Sequence, residues 1–320
     1  MITDQRELLI FTHYGNADYL AYTLRQGTRS NPEMRRILIG DEKNRATAIA
    51  AGWEHYLLRD LTSKKRDEFN ARFRWVQGPK HQPIKGGQDW LRFVFERFYC
   101  VATFLSTTGA SHFWHFDSDT MILHPLRRYT DEILRQAVAC TTLCNDYCPS
   151  GLITSPFLDG YCDSMIRFFQ DENYLDAKQS IYDSQRPGDA FTEMPAFCDY
   201  RALTGFKTFH LSSAFSSEGV WFDDCICQSD TFVTLPKTGD RRSIKALRSS
   251  SGAIVCDRQG KEMEFATVNC SWVPIDVFRW IELAAEKRLP PAMDSLSSFI
   301  EVPLGQRLLG NCLKVLKRGR

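Results

Sequence analysis

The sequence predicts an α/β protein with a mostly parallel central sheet flanked by helices. Short apolar runs alternate with amphipathic stretches through about the first 150 residues, and those runs end in Gly, Asp or turn residues. A composition of 43% hydrophobic and 25% charged residues fits an ordinary globular chain, and 320 residues suffice for one large core or two.

Leu8-Leu9-Ile10-Phe11-Thr12 reads as the first strand and His13-Tyr14-Gly15-Asn16 as the turn after it. From about Ala17 to Ser30, Tyr19, Leu20, Tyr22 and Leu24 fall at helical spacing, and Asn31-Pro32 supplies the stop. Arg36–Gly40 is the second strand, ending in Asp41; Asn44–Ala51 is a helix closed by Gly52; His55–Leu58 is the third strand. This is a βαβαβ beginning. Between Asp60 and Asp89 the chain turns polar and basic, with Lys64-Lys65-Arg66 and the Pro79, Pro83, Gly86-Gly87 punctuation of a long loop. Trp90–Leu105 returns to helix, and Phe113-Trp114-His115-Phe116 is a strand that delivers Asp117 and Asp119. Strands at Ala137–Leu143 and Gly151–Thr154 and a helix from about Gly160 to Gln170 follow.

Forty basic against thirty-nine acidic residues leave a net charge of +1, which gives no global field for a nucleic-acid partner. The eleven cysteines are odd in number and scattered through core-like sequence, and Leu8–Phe11 is too short for a signal-peptide h-region. Reduced thiols and a cytoplasmic location are the expectation. Cys140, Cys144 and Cys148 lack the close pair and fourth ligand of a zinc site. No apolar run spans a bilayer, since Arg92, Glu96 and Arg97 interrupt the longest. From Leu304 to Leu316 the tail places Leu304, Leu308, Leu309, Cys312, Val315 and Leu316 at helical spacing before a basic end. It reads as a helix packed on its own domain, with peripheral contact to an anionic membrane surface as the alternative.

The segment His115-Phe116-Asp117-Ser118-Asp119-Thr120 carries the chemistry. Two carboxylates one residue apart, at the carboxyl end of an apolar strand, stand where α/β sheets bind ligands. Oxygen ligands of this kind suit Mg²⁺ or Mn²⁺, which bridge the oxygens of a diphosphate. A bare Asp-x-Asp also caps turns; an apolar strand ending in two acids favours the ligand reading.

On these residues the chain resembles the GT-A class of nucleotide-sugar glycosyltransferases, whose fold is Rossmann-like. The resemblance rests on the first strand and turn Ile10–Tyr14, the second strand ending in Asp41, the helix carrying Glu96-Arg97-Phe98, and Asp117-Ser118-Asp119. It implies a domain over 1–275, with a nucleotide-binding half at about 1–125 and an acceptor-binding half at about 126–275, then a C-terminal helical extension over 276–320. It also implies a nucleotide-diphosphate-sugar donor, most simply uridine-linked, held by Thr12, His13, Tyr14, Asp41, Arg97, Asp117 and Ser118, and a glycan or glycoconjugate acceptor. Asp117 and Asp119 would hold Mn²⁺ or Mg²⁺. The late strand Phe265–Trp272 lacks the His that many members place there, which leaves Asn269 or water as third ligand. Tyr147–Thr154 resembles the acceptor-side strand. Pro187–Met194 resembles the acidic helix start facing the reacting sugar, where Asp189 and Glu193, four apart, would share a helical face as candidate general bases. Arg241–Lys245 with Arg248 is a basic run able to close over a diphosphate, or an exposed charged loop.

Two other readings remain open. Phe116–Thr120 also resembles the first motif of haloacid-dehalogenase-type phosphatases, with Asp117 as nucleophile, although that motif belongs on a first strand and three strand-like segments precede it here. A non-catalytic carbohydrate-binding protein could use Trp221, Trp272 and Trp280 to stack on sugars.

Overall fold

The structure is a computed structural model that describes residues 6–82, 87–235 and 242–301. The chain runs β1 (Leu8–Thr12), α1 (Leu20–Ser30), β2 (Arg35–Gly40), α2 (Glu42–Ala50), β3 (Glu54–Leu57), α3 (Lys64–Arg72), α4 (Gly87–Thr108), β4 (His112–Asp117) and β5 (Thr120–Ile122). It continues through α5 (Arg127–Arg135), β6 (Cys140–Leu143), β7 (Cys148–Thr154), α6 (Ser155–Gln170), α7 (Glu172–Ser184), α8 (Glu193–Thr204), β8 (Thr208–His210) and α9 (Leu211–Ala214). Last come β9 (Val220–Phe222), β10 (Arg248–Ser250), β11 (Ala253–Arg258), β12 (Lys261–Asn269), α10 (Ile275–Ala285) and α11 (Leu296–Glu301). Two compact units result. The first comprises the chain to Asn16, Pro32–Ser118 and Leu126–Leu211; the second comprises Ala17–Asn31, Asp119–Pro125 and the chain from Ser212.

The first unit holds a seven-stranded sheet in the order β3-β2-β1-β4-β7-β6-β8. β3, β2, β1 and β4 are mutually parallel, β7 runs antiparallel between β4 and β6, and β6 pairs parallel with β8. The expected α/β class with a mostly parallel central sheet is therefore what is observed. β1 is central and buried at all five positions, which is why it reads as an unbroken apolar run. Its last pairs, Thr12 with Ile39 and with Asp117, set the strand ends level. The chain leaves β1 to build β2 and β3 on one side and returns to β4 on the other, so a topological switch point opens between the carboxyl ends of β1 and β4.

Beneath it lies an aromatic core centred on α4, where Phe95, Phe98, Tyr99 and Phe104 are buried. Each such ring contributes roughly 1.5–3 kcal/mol of burial. α3 falls inside the segment read from sequence as loop. Six of its nine residues are charged and only one is a large apolar side chain, so periodicity is silent, but Ser63 accepts from the Arg66 amide at the cap and Phe69 is buried against Tyr99 at 4.9 Å and Phe169 at 5.2 Å. Phe69→Ala would remove this anchor at a cost of about 3–5 kcal/mol. α6 begins at Ser155 rather than near Gly160, because Pro156 in the first turn needs no amide partner there.

The second unit is organised on β12, which pairs antiparallel with β11 and β5 and parallel with β9. Gln259 and Gly260, at φ 54° and 81°, make the β11–β12 turn, where Gly accepts the left-handed conformation without strain. Phe265, Met263, Trp280 and Phe278 form its core. α1 was expected as a crossover helix of the parallel sheet; its partners instead lie in this unit, with Tyr19 stacked on Phe278 at 5.1 Å and Arg25 paired with Glu282 at 2.8 Å. α10 and α11 supply the helical C-terminal part, and α10 is packed into the core through Val277, Phe278, Trp280 and Ile281. The basic amphipathic stretch over 304–320 lies outside the described residues. None of the described helices is long and apolar enough to cross a membrane.

Candidate functional site

In the first unit the switch point gathers most of the residues singled out from sequence. His13, just past β1, reaches the Ser118 hydroxyl just past β4 at 2.8 Å, and Thr12 Oγ1 stands 3.5 Å from His115 Nε2. Burial drives both imidazoles below their ordinary range, His13 to about 4 and His115 to about 3, and Arg97 adds to the depression of His115. Both rings are therefore neutral near pH 7.

Arg97, on α4, is buried beneath Asp117. Its guanidinium donates to Asp117 Oδ1 at 2.6 Å and to Glu193 Oε1 at 2.9 Å, a two-armed grip that only the planar fork of Arg provides. The two carboxyls divide the cation unequally. Burial works to raise Asp117, yet the closer guanidinium outweighs it and holds this carboxyl below its usual range. At Glu193 burial wins over Arg97, the Asp117 charge adds to it, and the carboxyl is pushed up to about 7. Below that pH the cluster balances one cation with one anion; above it, two anions share one cation. Asp117 keeps 41% of its side-chain surface open, against 7% for Glu193. The hydroxyl of Tyr161 holds the start of α8 in place by donating to the Glu193 carbonyl at 2.6 Å.

At the carboxyl ends of β1, β2 and β3 is a cavity of about 230 Å³, lined among others by Tyr14, Gly40, Asp41, Leu57, Arg92 and Phe93. Tyr14 is half-exposed, with its ring 5.5 Å from Phe93. Asp41 is committed locally. One oxygen caps α2 by accepting from the Lys43 amide at 2.8 Å, and the other accepts from the Gly15 amide at 2.5 Å, which ties the turn after β1 to the end of β2. Gly15 sits at φ 83°, where a side chain would strain the turn. Asn44, buried beneath, donates to the Gly15 carbonyl at 3.0 Å and leaves no room for a Cβ on Gly40. Sequence reasoning passed over Asn44, although an Asn three residues into a helix capped by Asp, facing a Gly, signals close packing.

Asp189 and Glu193 do not share a helical face. α8 begins at Glu193, and Asp189 lies in the preceding turn, exposed, where the Gln77–Ala190 bridge draws the chain out and its carbonyl accepts from the Gly78 amide at 2.9 Å.

In the second unit Asp119 precedes β5 and Asn269 ends β12. The strand pairing Asn269 to Thr120, with the Cys270 amide donating to the Asp119 carbonyl at 3.1 Å, brings them together. Ser271 Oγ lies 2.8 Å from Asp119 Oδ2 and 2.6 Å from Asn269 Oδ1. The Ser271 amide also donates to Asn269 Oδ1, at 3.0 Å, so the Asp119 carboxylate, the Asn269 amide oxygen and the Ser271 hydroxyl form one cluster of hard oxygen atoms. That donor set suits Mg²⁺ or Mn²⁺. No group of three or more His, Cys, Asp or Glu side chains able to hold a metal occurs among the described residues. Ser271 was not singled out from sequence.

The basic run divides. Arg241 lies outside the described residues, Arg248 is exposed and paired with Glu262, and Lys245 is fully buried between Asp223 at 2.5 Å and Asp230 at 2.7 Å. Lys245 is thus a core ion pair rather than a phosphate-binding side chain. Trp221 and Trp280 are buried, which leaves Trp272, 66% exposed, as the one of the three open to a ligand.

No family profile matches this chain, and no curated protein does. Among solved structures it is similar to the apo crystal structure of mouse xyloside xylosyltransferase 1. The TM-score is 0.42 at 10% sequence identity, over 65% of this chain and 85% of that one.

Proposed function

We propose that this protein is a metal-dependent glycosyltransferase of GT-A type, taking a sugar from a nucleotide-diphosphate donor to a hydroxyl of a glycan or glycoconjugate. One observation carries the reading. At the carboxyl ends of β1, β2 and β3 a cavity walled by Tyr14, Asp41, Leu57 and Phe93 opens, and on the other side of β1 the parallel strand β4 ends in Asp117, braced by a buried arginine. This is where an α/β sheet receives a nucleotide.

On this reading the Tyr14 and Phe93 rings flank the base, and Asp41 and Gly15 shape the floor near the ribose. His13 and Ser118 tie the two strand ends, and the neutral His13 adds no charge beside the donor. Asp117, with one oxygen fixed by Arg97 and part of its surface open, faces the donor. Asp119 with Asn269 are the oxygen ligands offered to Mn²⁺ or Mg²⁺, which, when bound, stabilises the departing diphosphate as a Lewis acid. Glu193, buried and held by Arg97, positions that arginine and through it Asp117, which leaves Asp189 as the exposed carboxylate on that stretch. The phosphatase alternative fares worse, because Asp117 ends the fourth strand of the chain, whereas the phosphatase motif belongs on the first.

A thermal-shift screen of the full chain against UDP, GDP, CMP and nucleotide sugars, with and without Mn²⁺, tests the reading, since selective binding raises the melting temperature. A metal-dependent shift with one nucleotide class is the expected result. Absence of any shift, together with Mg²⁺-dependent hydrolysis of a phosphate ester, would overturn it in favour of the phosphatase.

A further inference from the structure

Trp272 combines three features that a purely structural residue would not retain. It is 66% exposed, it holds a left-handed backbone at φ 67°, and it directly follows Ser271, whose hydroxyl lies against Asp119 and Asn269. A bulky residue with positive φ is a strained outlier, and such strain persists where surroundings or function maintain it. Burial offers no compensation, since most of the ring is in water. The Arg242 guanidinium stands 5.2 Å from the ring centroid, and an exposed cation–π contact is worth less than the backbone strain of such a residue. Glycine, which would relieve the strain, is absent from this turn.

We propose that Trp272 is a carbohydrate platform, its indole face receiving the C–H face of a pyranose ring next to the Asp119–Asn269–Ser271 oxygen cluster. A pyranose presents polarised C–H bonds on one face and hydroxyls round its edge. The electron-rich aromatic face attracts the former, and nearby oxygen acceptors can take hydrogen bonds from the latter. Arg242 on the ring fixes the orientation of the indole. The inference deepens the transferase reading and rests on it.

The test measures binding of methyl β-glucopyranoside, β-galactopyranoside, β-xylopyranoside and α-mannopyranoside by saturation-transfer NMR. The proteins are the full-length wild type and its Trp272→Gly, Trp272→Ala and Trp272→Phe variants, and UDP, GDP and their sugar conjugates with Mn²⁺ are titrated in parallel. The wild type binds at least one pyranoside or gains affinity from the sugar of a nucleotide sugar. Trp272→Gly and Trp272→Ala lose that gain by about tenfold or more, and Trp272→Phe keeps most of it. Trp272→Gly melts at or above the wild-type temperature, because it removes the strain and little packing, so a fold defect does not mimic the loss. A loss confined to free pyranosides assigns the platform to the acceptor, and a loss confined to nucleotide sugars assigns it to the donor.

Equal sugar affinity in wild type and Trp272→Gly overturns the proposal. So does a wild type that binds nucleotide with Mn²⁺ yet gains nothing from any of these sugars. A wild type that binds neither nucleotide nor sugar overturns the transferase reading beneath it.

Discussion

Replacing Glu193 by Gln isolates the energetics of the Arg97 cluster. Glu193 is pushed from an ordinary 4.5 to about 7 by burial, against the pull of Arg97. The folded protein therefore holds a proton over a window in which the unfolded chain has released it. The associated stability is fully present below pH 4.5 and is lost as pH rises through about 7. With ~1.36 kcal/mol for each tenfold change, the complete loss is about 3 kcal/mol, of which about 2 kcal/mol falls between pH 5.5 and 8.5. Gln keeps the shape and hydrogen-bonding capacity of the protonated acid but cannot ionise. In the unfolded chain the imidazoles of His13 and His115 titrate in the same interval, but they do so in both proteins and cancel in the difference. Asp117, held below its usual range, contributes stability that disappears only on acidification and so lies outside the window. Urea unfolding of both proteins at several pH values in metal-free buffer is the assay. The variant should gain about 2 kcal/mol on the wild type between pH 5.5 and 8.5. Parallel stability curves across that range would refute the claim that Glu193 is a proton-holding partner of Arg97.

Three further outcomes follow from the same geometry. Asp119→Ala removes an oxygen ligand and no core side chain, so it should abolish Mn²⁺-dependent nucleotide binding in the thermal-shift assay; an unchanged Mn²⁺-dependent shift would remove Asp119 from the metal site. Lys245→Met leaves Asp223 buried without its cation and should cost about 3–5 kcal/mol in equilibrium unfolding, with the deficit largest at high pH, since Asp223 is already pushed up to about 6 by burial and accepts a proton on acidification. Gly40→Ala forces Asn44 off its seat against the Gly15 turn, an overpacking cost of about 1–3 kcal/mol, and should weaken nucleotide binding while Asn44→Ala in the same background restores stability.

Much of the first unit was legible in the sequence because its signals are local. β1 and β2 are apolar runs of strand length, α2 carries its own Asp41 cap, and β4 ends in the acids that mark a ligand edge. α3 and the start of α8 were not legible. The first has Phe69 as its one buried side chain, and the second begins four residues after Asp189 because of a bridge from Ala190 to Gln77 that no local pattern announces. α1 shows the same limit in another form. Its helical spacing is plain, but its apolar face does not state which surface it covers, and that surface lies in the second unit through Phe278 and Glu282.

By itself, the sequence determined the α/β class, the order of the early strands and the chemical character of the strand-end acids, because alternation, caps and turn residues act over a few positions. Only the tertiary structure decided what each polar group does. It paired Arg97 with both Asp117 and Glu193, buried Lys245 in a core ion pair rather than leaving it for phosphate, set Ser271 between Asp119 and Asn269, and left Trp272 exposed while Trp221 and Trp280 were covered. The physical reason is that burial and charge partners, which set whether a side chain is a ligand, a base or a brace, come from residues far away in the chain, 152 positions between Asp119 and Ser271 and 257 between Arg25 and Glu282.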